Sequence, residues 1–272
     1  MSVLTMLFSA AAIILFVKYG LLRGIDQIAD AMNWKAKMRG QVTGYATSVP
    51  EFVCLVAAGM AGVWEAGLWN IASSNIINAG LMLLAVLKYG QFREFFNRRF
   101  FDEILFATLA ILVPLVLMLF GMDTQWFLVP LLLAFFVLYQ VVDRKVNQSE
   151  SVSEEDVQAT GNLPVGLMLG ISSLVAIAIA GTFLGESTGV VVQKLGVHPA
   201  IAGWILGVVT SIPEMVSFFA VYATAKGEGK LDSLDDTQEA LDNLTGSNMA
   251  NVGVVYPIGL LVFLLATLLV SR

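Results

Sequence analysis

The chain has 272 residues, is 57% hydrophobic and only 13% charged, and carries a net charge of −6. A soluble domain carries about twice that share of charge, so the composition excludes an ordinary soluble globule. With no basic patch it excludes a nucleic-acid partner. One cysteine, Cys54, excludes an internal disulfide, and one histidine, His198, excludes a histidine-built metal site.

In chain order, apolar runs predict eight membrane spans, at residues 3–20, 42–62, 67–87, 103–121, 126–142, 164–184, 200–224 and 241–268. Val3–Val17 follows no basic segment and precedes no small-residue cleavage site, so it reads as a span rather than a signal peptide. Between the first two spans, Ile25, Ile28, Ala29 and Met32 recur at helical spacing. Gly24–Met38 therefore reads as a short helix on the membrane surface or as a solvated loop. The last span contains Pro257, which predicts a tilted helix, a break, or two short helices meeting there. The loops after spans one, three, five and seven hold 13 of the 15 Lys and Arg residues, leaving Lys194 and Arg272. Those loops share one face, which the positive-inside rule makes cytoplasmic, with both termini outside. Two hydrophilic stretches are acidic. One carries Glu150, Glu154, Glu155 and Asp156. The other, at 227–239, carries Asp232, Asp235, Asp236 and Glu239 and reads as a solvated linker, with a Ca²⁺ sensor as the alternative.

The sequence also repeats itself. Residues 40–51 read GQVTGYATSVPE and residues 203–214 read GWILGVVTSIPE. A second block follows each copy: NIASSNIINAG at 70–80 and NLTGSNMANVG at 243–253. The copies begin in the second and seventh spans, with four spans between them, so they cross the membrane in opposite directions. The expected architecture is an all-α, polytopic, inverted-repeat transporter. Its first half spans 1–142 with five spans, a cytoplasmic linker 143–163, and its second half 164–272 with three.

The repeated residues suit a cation. Glu51 and Glu214 each lie about ten residues inside a span, or roughly 15 Å along a helix. A carboxylate at that depth costs at least ~2.5 kcal/mol, and two facing carboxylates repel unless protons or cations neutralise them. Ca²⁺ balances both charges and takes six to eight oxygen ligands. The neighbouring side chains carry oxygen: Thr47, Ser48, Ser74, Asn75 and Asn78, with Thr210, Ser211, Ser247, Asn248 and Asn251 in the other copy. Asn75 and Asn248 read equally as ligands or as interhelical glue. Pro50 and Pro213, just before the acids, break their helices and free backbone carbonyls. Gly40/Gly44 and Gly203/Gly207 have the small-xxx-small spacing of close helix contact. There is no intramembrane aspartate pair, zinc-ligand cluster or Ser-Lys dyad, so the sequence does not read as an enzyme.

At these residues the sequence resembles the cation/calcium exchanger superfamily and, within it, the sodium/calcium exchangers. That family carries two inverted copies of G-T-S-x-P-E followed by G-S-N-x-x-N. Here they appear as TSVPE with SSNIIN and as TSIPE with GSNMAN. The resemblance implies secondary active antiport of Na⁺ against Ca²⁺ by alternating access in the cell membrane, with both ions as cargo and no organic cofactor. It implies that Glu51 and Glu214 bind Ca²⁺ and share Na⁺, and that Thr47 and Thr210 give backbone carbonyls. Ser48, Ser74, Ser211 and Ser247 then complete Na⁺ sites, and Asn78 and Asn251 sit at the centre. Thr-Ser before Pro-Glu goes with Na⁺ coupling in this family; a Ca²⁺/H⁺ exchanger is the alternative, ahead of a passive cation channel. Two departures stand out. Relatives often place aspartate at one of the positions of Asn78 and Asn251, so this site has only two carboxylates. Relatives also have five helices per repeat, and the second half here ends after its third, leaving a face that a homodimer would cover.

Overall fold

The computed structural model describes residues 2–146, 161–229, 231 and 234–270. Among them the structure is helical, with no strand. Most of the linker, including Glu150, Glu154, Glu155 and Asp156, lies outside the described residues, as do Lys230, Asp232 and Arg272.

The first span is longer than expected. Helix α1 (Ser2–Phe16) runs through a π-helical turn (Val17–Leu21) into α2 (Leu22–Ala31). Gly24–Met38 is thus neither a surface helix nor a loop: its first part continues the span, and Ala36 already begins α3. The reason is packing. A Cβ on Gly24 would lie 2.8 Å from the Gly166 carbonyl, and one on Gly166 would lie 2.8 Å from the Gly24 carbonyl. This mutual approach buries α2 against α9 (Leu163–Leu195) and leaves no polar segment free to lie on a bilayer.

Two further spans are broken at matching places. α3 (Ala36–Thr47) stops at Ser48 and α4 (Val49–Met60) resumes; α10 (Pro199–Thr210) stops at Ser211 and α11 (Ile212–Gly227) resumes. Ser48 has φ −81° and ψ −4°, and Ser211 has φ −83° and ψ −2°. Proline lacks an N–H and fits the first turn of a new helix, so each Pro-Glu starts one rather than continuing the last. Helical bonding resumes identically, with Phe52 N–H on the Ser48 carbonyl and Met215 N–H on the Ser211 carbonyl, both at 3.1 Å.

The long α5 (Trp64–Tyr89) follows, then a short turn α6 (Phe92–Phe95), α7 (Phe101–Leu119) and α8 (Leu128–Val146). α8 occupies the predicted fifth span, with Asp143, Arg144 and Lys145 in its last turn. The other seven expected spans fall on helices long and apolar enough to cross a membrane. The final span is neither kinked open nor split: α12 (Asp235–Ala250) passes through a π turn at Asn251–Val255 into α13 (Tyr256–Val270). The Tyr256 N–H reaches the Asn251 carbonyl across the widened turn, immediately before Pro257. A π-bulge of this kind absorbs the proline within one continuous helix.

The two halves interlock by exchange. α3 lies along α12, and α10 lies along α5. Cβ atoms on Gly40 and Gly44 would lie 2.9 Å from Asp242 Cβ and 2.7 Å from Ser247 N; on Gly203 they would lie 2.7 Å from the Ala66 carbonyl. The predicted close contacts exist, and each glycine pair serves the opposite repeat. Apolar side chains such as Phe8, Ile171, Phe183 and Leu268 point away from the bundle, a surface suited to hydrocarbon.

Candidate cation site at the helix breaks

The breaks bring one end of each half-helix to the middle of the bundle. Thr47 and Thr210 close α3 and α10, whose last carbonyls carry the negative end of the helix dipole. Glu51 and Glu214 stand in the first turns of α4 and α11, where N–H groups favour a negative charge. Both glutamates, both threonines, Ser74, Ser211, Ser247, Asn78 and Asn251 are fully buried, and Ser48 is nearly so.

All ten predicted residues gather there, and they cross between repeats. The Thr210 side chain acts on the Glu51 carboxylate and the Thr47 side chain on that of Glu214, while the two acids repel one another. Ser48 Oγ donates to the Ser247 carbonyl at 3.1 Å, and Ser211 Oγ to the Ser74 carbonyl at 3.4 Å. Each serine at a break thus closes on the serine of the opposite repeat.

The asparagine amides link the two repeats. Asn78 Nδ2 donates to Asn248 Oδ1 at 3.2 Å, and Asn251 Nδ2 donates to Asn75 Oδ1 at 2.9 Å. Asn75 Nδ2 anchors to the Ala110 carbonyl at 2.9 Å, and Asn248 Nδ2 to the Asn75 carbonyl at 3.1 Å. Asn75 and Asn248 thus bond across helices through both ends of their amides. Among the described residues, Glu51 Oε1 and Oε2, Glu214 Oε2, Asn78 Oδ1 and Asn251 Oδ1 are buried without a hydrogen-bond partner. Orphaned acceptors are costly in a dry interior. Five of them, all hard oxygens, form a donor set that suits Ca²⁺ or Na⁺ and repels a soft metal.

Two partners escaped the sequence reading. Asn70 Oδ1 accepts from Thr210 Oγ1 at 3.1 Å, and Asn243 Nδ2 donates to Ser217 Oγ at 2.7 Å. Their place in the repeat was the available signal. Cys54 is buried in an apolar cluster, and His198 caps α10 by accepting the Ala200 N–H at 3.2 Å, so neither joins the site.

A cavity of about 560 Å³ opens between α2, α3, α11 and α12. Asp26, Asp30, Asp235, Asp236 and Glu239 line it with Arg39, and Thr43 and Ser217 lie on its wall one helical turn from Thr47 and Glu214. This corrects the reading of 227–239 as a solvated linker: Asp235–Glu239 form the first turn of α12, with Asp236 buried, because α12 must reach α3 along its whole length.

A family model for sodium/calcium exchanger proteins matches residues 1–143 and 165–270. No curated protein sequence matches the chain. Among solved structures, the chain is similar to the sodium-calcium exchanger NCX_Mj. Soaked with 2.5 mM Na⁺ and 1 mM Sr²⁺, that protein is 19% identical, with TM-score 0.57 over 98% of this chain and 89% of its own. Soaked with 2.5 mM Na⁺ and 0.1 mM Ca²⁺, it is 20% identical, with TM-score 0.56 over 98% of this chain and 88% of its own.

Proposed function

Since the chain belongs to the sodium/calcium exchanger protein family, we propose that its cation exchange couples Na⁺ entry to Ca²⁺ exit by alternating access at the Glu51–Glu214 centre. The observation that carries this reading is the set of buried oxygens from both repeats, on Glu51, Glu214, Asn78 and Asn251, that lack a hydrogen-bond partner among the described residues. Glu51 and Glu214 hold Ca²⁺ between them and share Na⁺ when it leaves. Thr47 and Thr210 lend carbonyls from the half-helix ends. Ser48, Ser74, Ser211 and Ser247 complete Na⁺ positions. Asn78 and Asn251 give neutral oxygens at the centre.

One ligand set serves two ions because it is made of two oppositely threaded halves. Rocking one half against the other exposes the same oxygens to either side. Glycine contacts between α3 and α12 and between α10 and α5 allow short sliding without side chains to interlock. The acidic cavity beside Thr43 and Ser217 is the route from the Lys- and Arg-rich face, which we assign to the cytoplasm, with both termini outside. Its carboxylates concentrate cations at the entrance.

The test is Ca²⁺ uptake into proteoliposomes loaded with Na⁺, diluted into Na⁺-free buffer with radiolabelled Ca²⁺. Uptake that collapses when the Na⁺ gradient is removed supports the reading. Uptake that ignores Na⁺ and follows a pH gradient assigns the protein to Ca²⁺/H⁺ exchange. Flux that needs no counter-ion makes it a channel.

A further inference from the structure

A second group of acids lies away from the centre, where α3, α7, α8 and α12 meet. Ligand oxygens of Asp102, Glu103 and Asp143 all fall within 4.8 Å of one another. Glu103 and Asp143 are 1% and 3% exposed, too buried for water to neutralise their charge. Asp102 and Glu103 stand in the first turn of α7, and Asp143 in the last turn of α8.

Two residues of α12, outside that trio, point to a ligand. Asp242 is fully buried and Gln238 is 2% exposed, so neither has water to satisfy it. The Gln238 amide nitrogen bridges the acids, donating to Glu103 Oε1 at 3.2 Å and also to Asp242 Oδ2. Together with Thr245 Oγ1, which donates to the Glu103 carbonyl at 3.1 Å, that nitrogen ties α12 to α7. Among the described residues, Glu103 Oε2, Asp242 Oδ1 and Gln238 Oε1 are buried without a partner. The facing cation is Lys37, whose ammonium binds Asp143 Oδ1 and acts on Asp242; Gln41 Nε2 donates to Asp143 Oδ2 at 2.9 Å. Among the described residues, Lys37 is the cation that touches this group of four carboxyl groups.

We infer that Asp102, Glu103, Asp143 and Asp242, with the Gln238 carbonyl oxygen, form a second binding site for a hard divalent cation of the size of Ca²⁺. Carboxylates and an amide carbonyl from three helices make an adaptable all-oxygen cage, which Ca²⁺ accepts; Mg²⁺ demands a stricter octahedron and keeps its waters. The site is independent of the central one. Asp242 lies five residues before Ser247 on α12, about 7.5 Å along the helix axis. Its side chain also meets Gly40 of α3. A cation there fastens α12 to α7 and α8 at the end of the helix that carries the central Ser247 and Asn251.

The test is isothermal titration of the purified full chain carrying Glu51→Gln and Glu214→Gln together, with CaCl₂ and then MgCl₂. One Ca²⁺ per chain still binds, at least tenfold tighter than Mg²⁺. Adding Glu103→Gln abolishes it. Adding Asp102→Asn, at the partly exposed edge and harmless to folding, weakens it at least fivefold. No Ca²⁺ binding by the double variant overturns the site and shows its acids to be held protonated. So does binding unchanged by Asp102→Asn and Glu103→Gln. Exchange surviving in the double variant would instead sink the central reading, leaving this site untouched.

Discussion

Ser247 donates its hydroxyl to Glu214 Oε1 at 2.8 Å, while its repeat counterpart Ser74 turns its hydroxyl back to the Ile71 carbonyl at 3.0 Å. The two halves match in sequence but not in how they hold their acids. Each acid is positioned by its own helix and by the threonine of the opposite repeat; Glu214 alone adds a bond from α12.

That difference predicts unequal effects of two equivalent substitutions. Ser247→Ala removes a hydrogen bond to a buried carboxylate, worth about 1.5–3 kcal/mol. Half-saturating Ca²⁺ in vesicle uptake should rise by roughly 10- to 100-fold. Ser74→Ala loses only a local bond to a carbonyl and should raise it by no more than about fivefold. Equal effects, measured side by side, would mean that the asymmetry has no bearing on binding.

The acids themselves tolerate no neutral replacement. Glu51→Gln or Glu214→Gln keeps the side-chain volume but halves the central charge facing Ca²⁺. Exchange should fall by at least about 100-fold, equivalent to ~2.8 kcal/mol. Detergent-purified yield and elution volume should stay unchanged. A variant with full activity would remove its glutamate from the site.

The interlock of the halves can be probed without replacing an ion ligand. Gly44→Ala puts a methyl 2.7 Å from Ser247 N, and Gly207→Ala puts one 3.0 Å from Ser74 N. Both helix pairs must part, at a cost of about 1–3 kcal/mol. Melting temperature in detergent should drop for both. Gly80→Ala is the control: its Cβ meets nothing within 4 Å. It should be neutral or slightly stabilising, since alanine favours helix by roughly 1 kcal/mol over glycine.

Much of this was legible from the repeat. GQVTGYATSVPE and GWILGVVTSIPE placed the breaks, the acids and the glycine seams, because proline and glycine act through local backbone chemistry that spacing reveals. The crossing of Thr47 to Glu214 and of Ser48 to Ser247 was not legible, since neither copy encodes its register against the other. Pro257 signalled an irregular helix, yet only packing chose a π turn over a kink. Asp235–Glu239 read as a solvated linker because its acids suggested water, and the Glu103–Asp242 cluster gave no signal because its members lie far apart in sequence. Gln238 and Lys37 supply the internal partners that α12 and α3 bring to them.

Charge at the centre predicts electrical silence. With asparagine at both 78 and 251, Glu51 and Glu214 are the only carboxylates among the ten gathered residues, so the centre carries two negative charges. One Ca²⁺ cancels them, and so do two Na⁺. A third Na⁺ would cross a low-dielectric interior uncompensated, where unpaired charge is expensive. Exchange of two Na⁺ for one Ca²⁺ moves no net charge. The Na⁺-driven Ca²⁺ uptake rate should therefore stay constant when valinomycin and graded K⁺ set the vesicle potential between zero and about 100 mV, a field worth ~2.3 kcal/mol per transferred charge. A rate that changes severalfold with potential would demand a third Na⁺, and with it a negative group beyond these two acids.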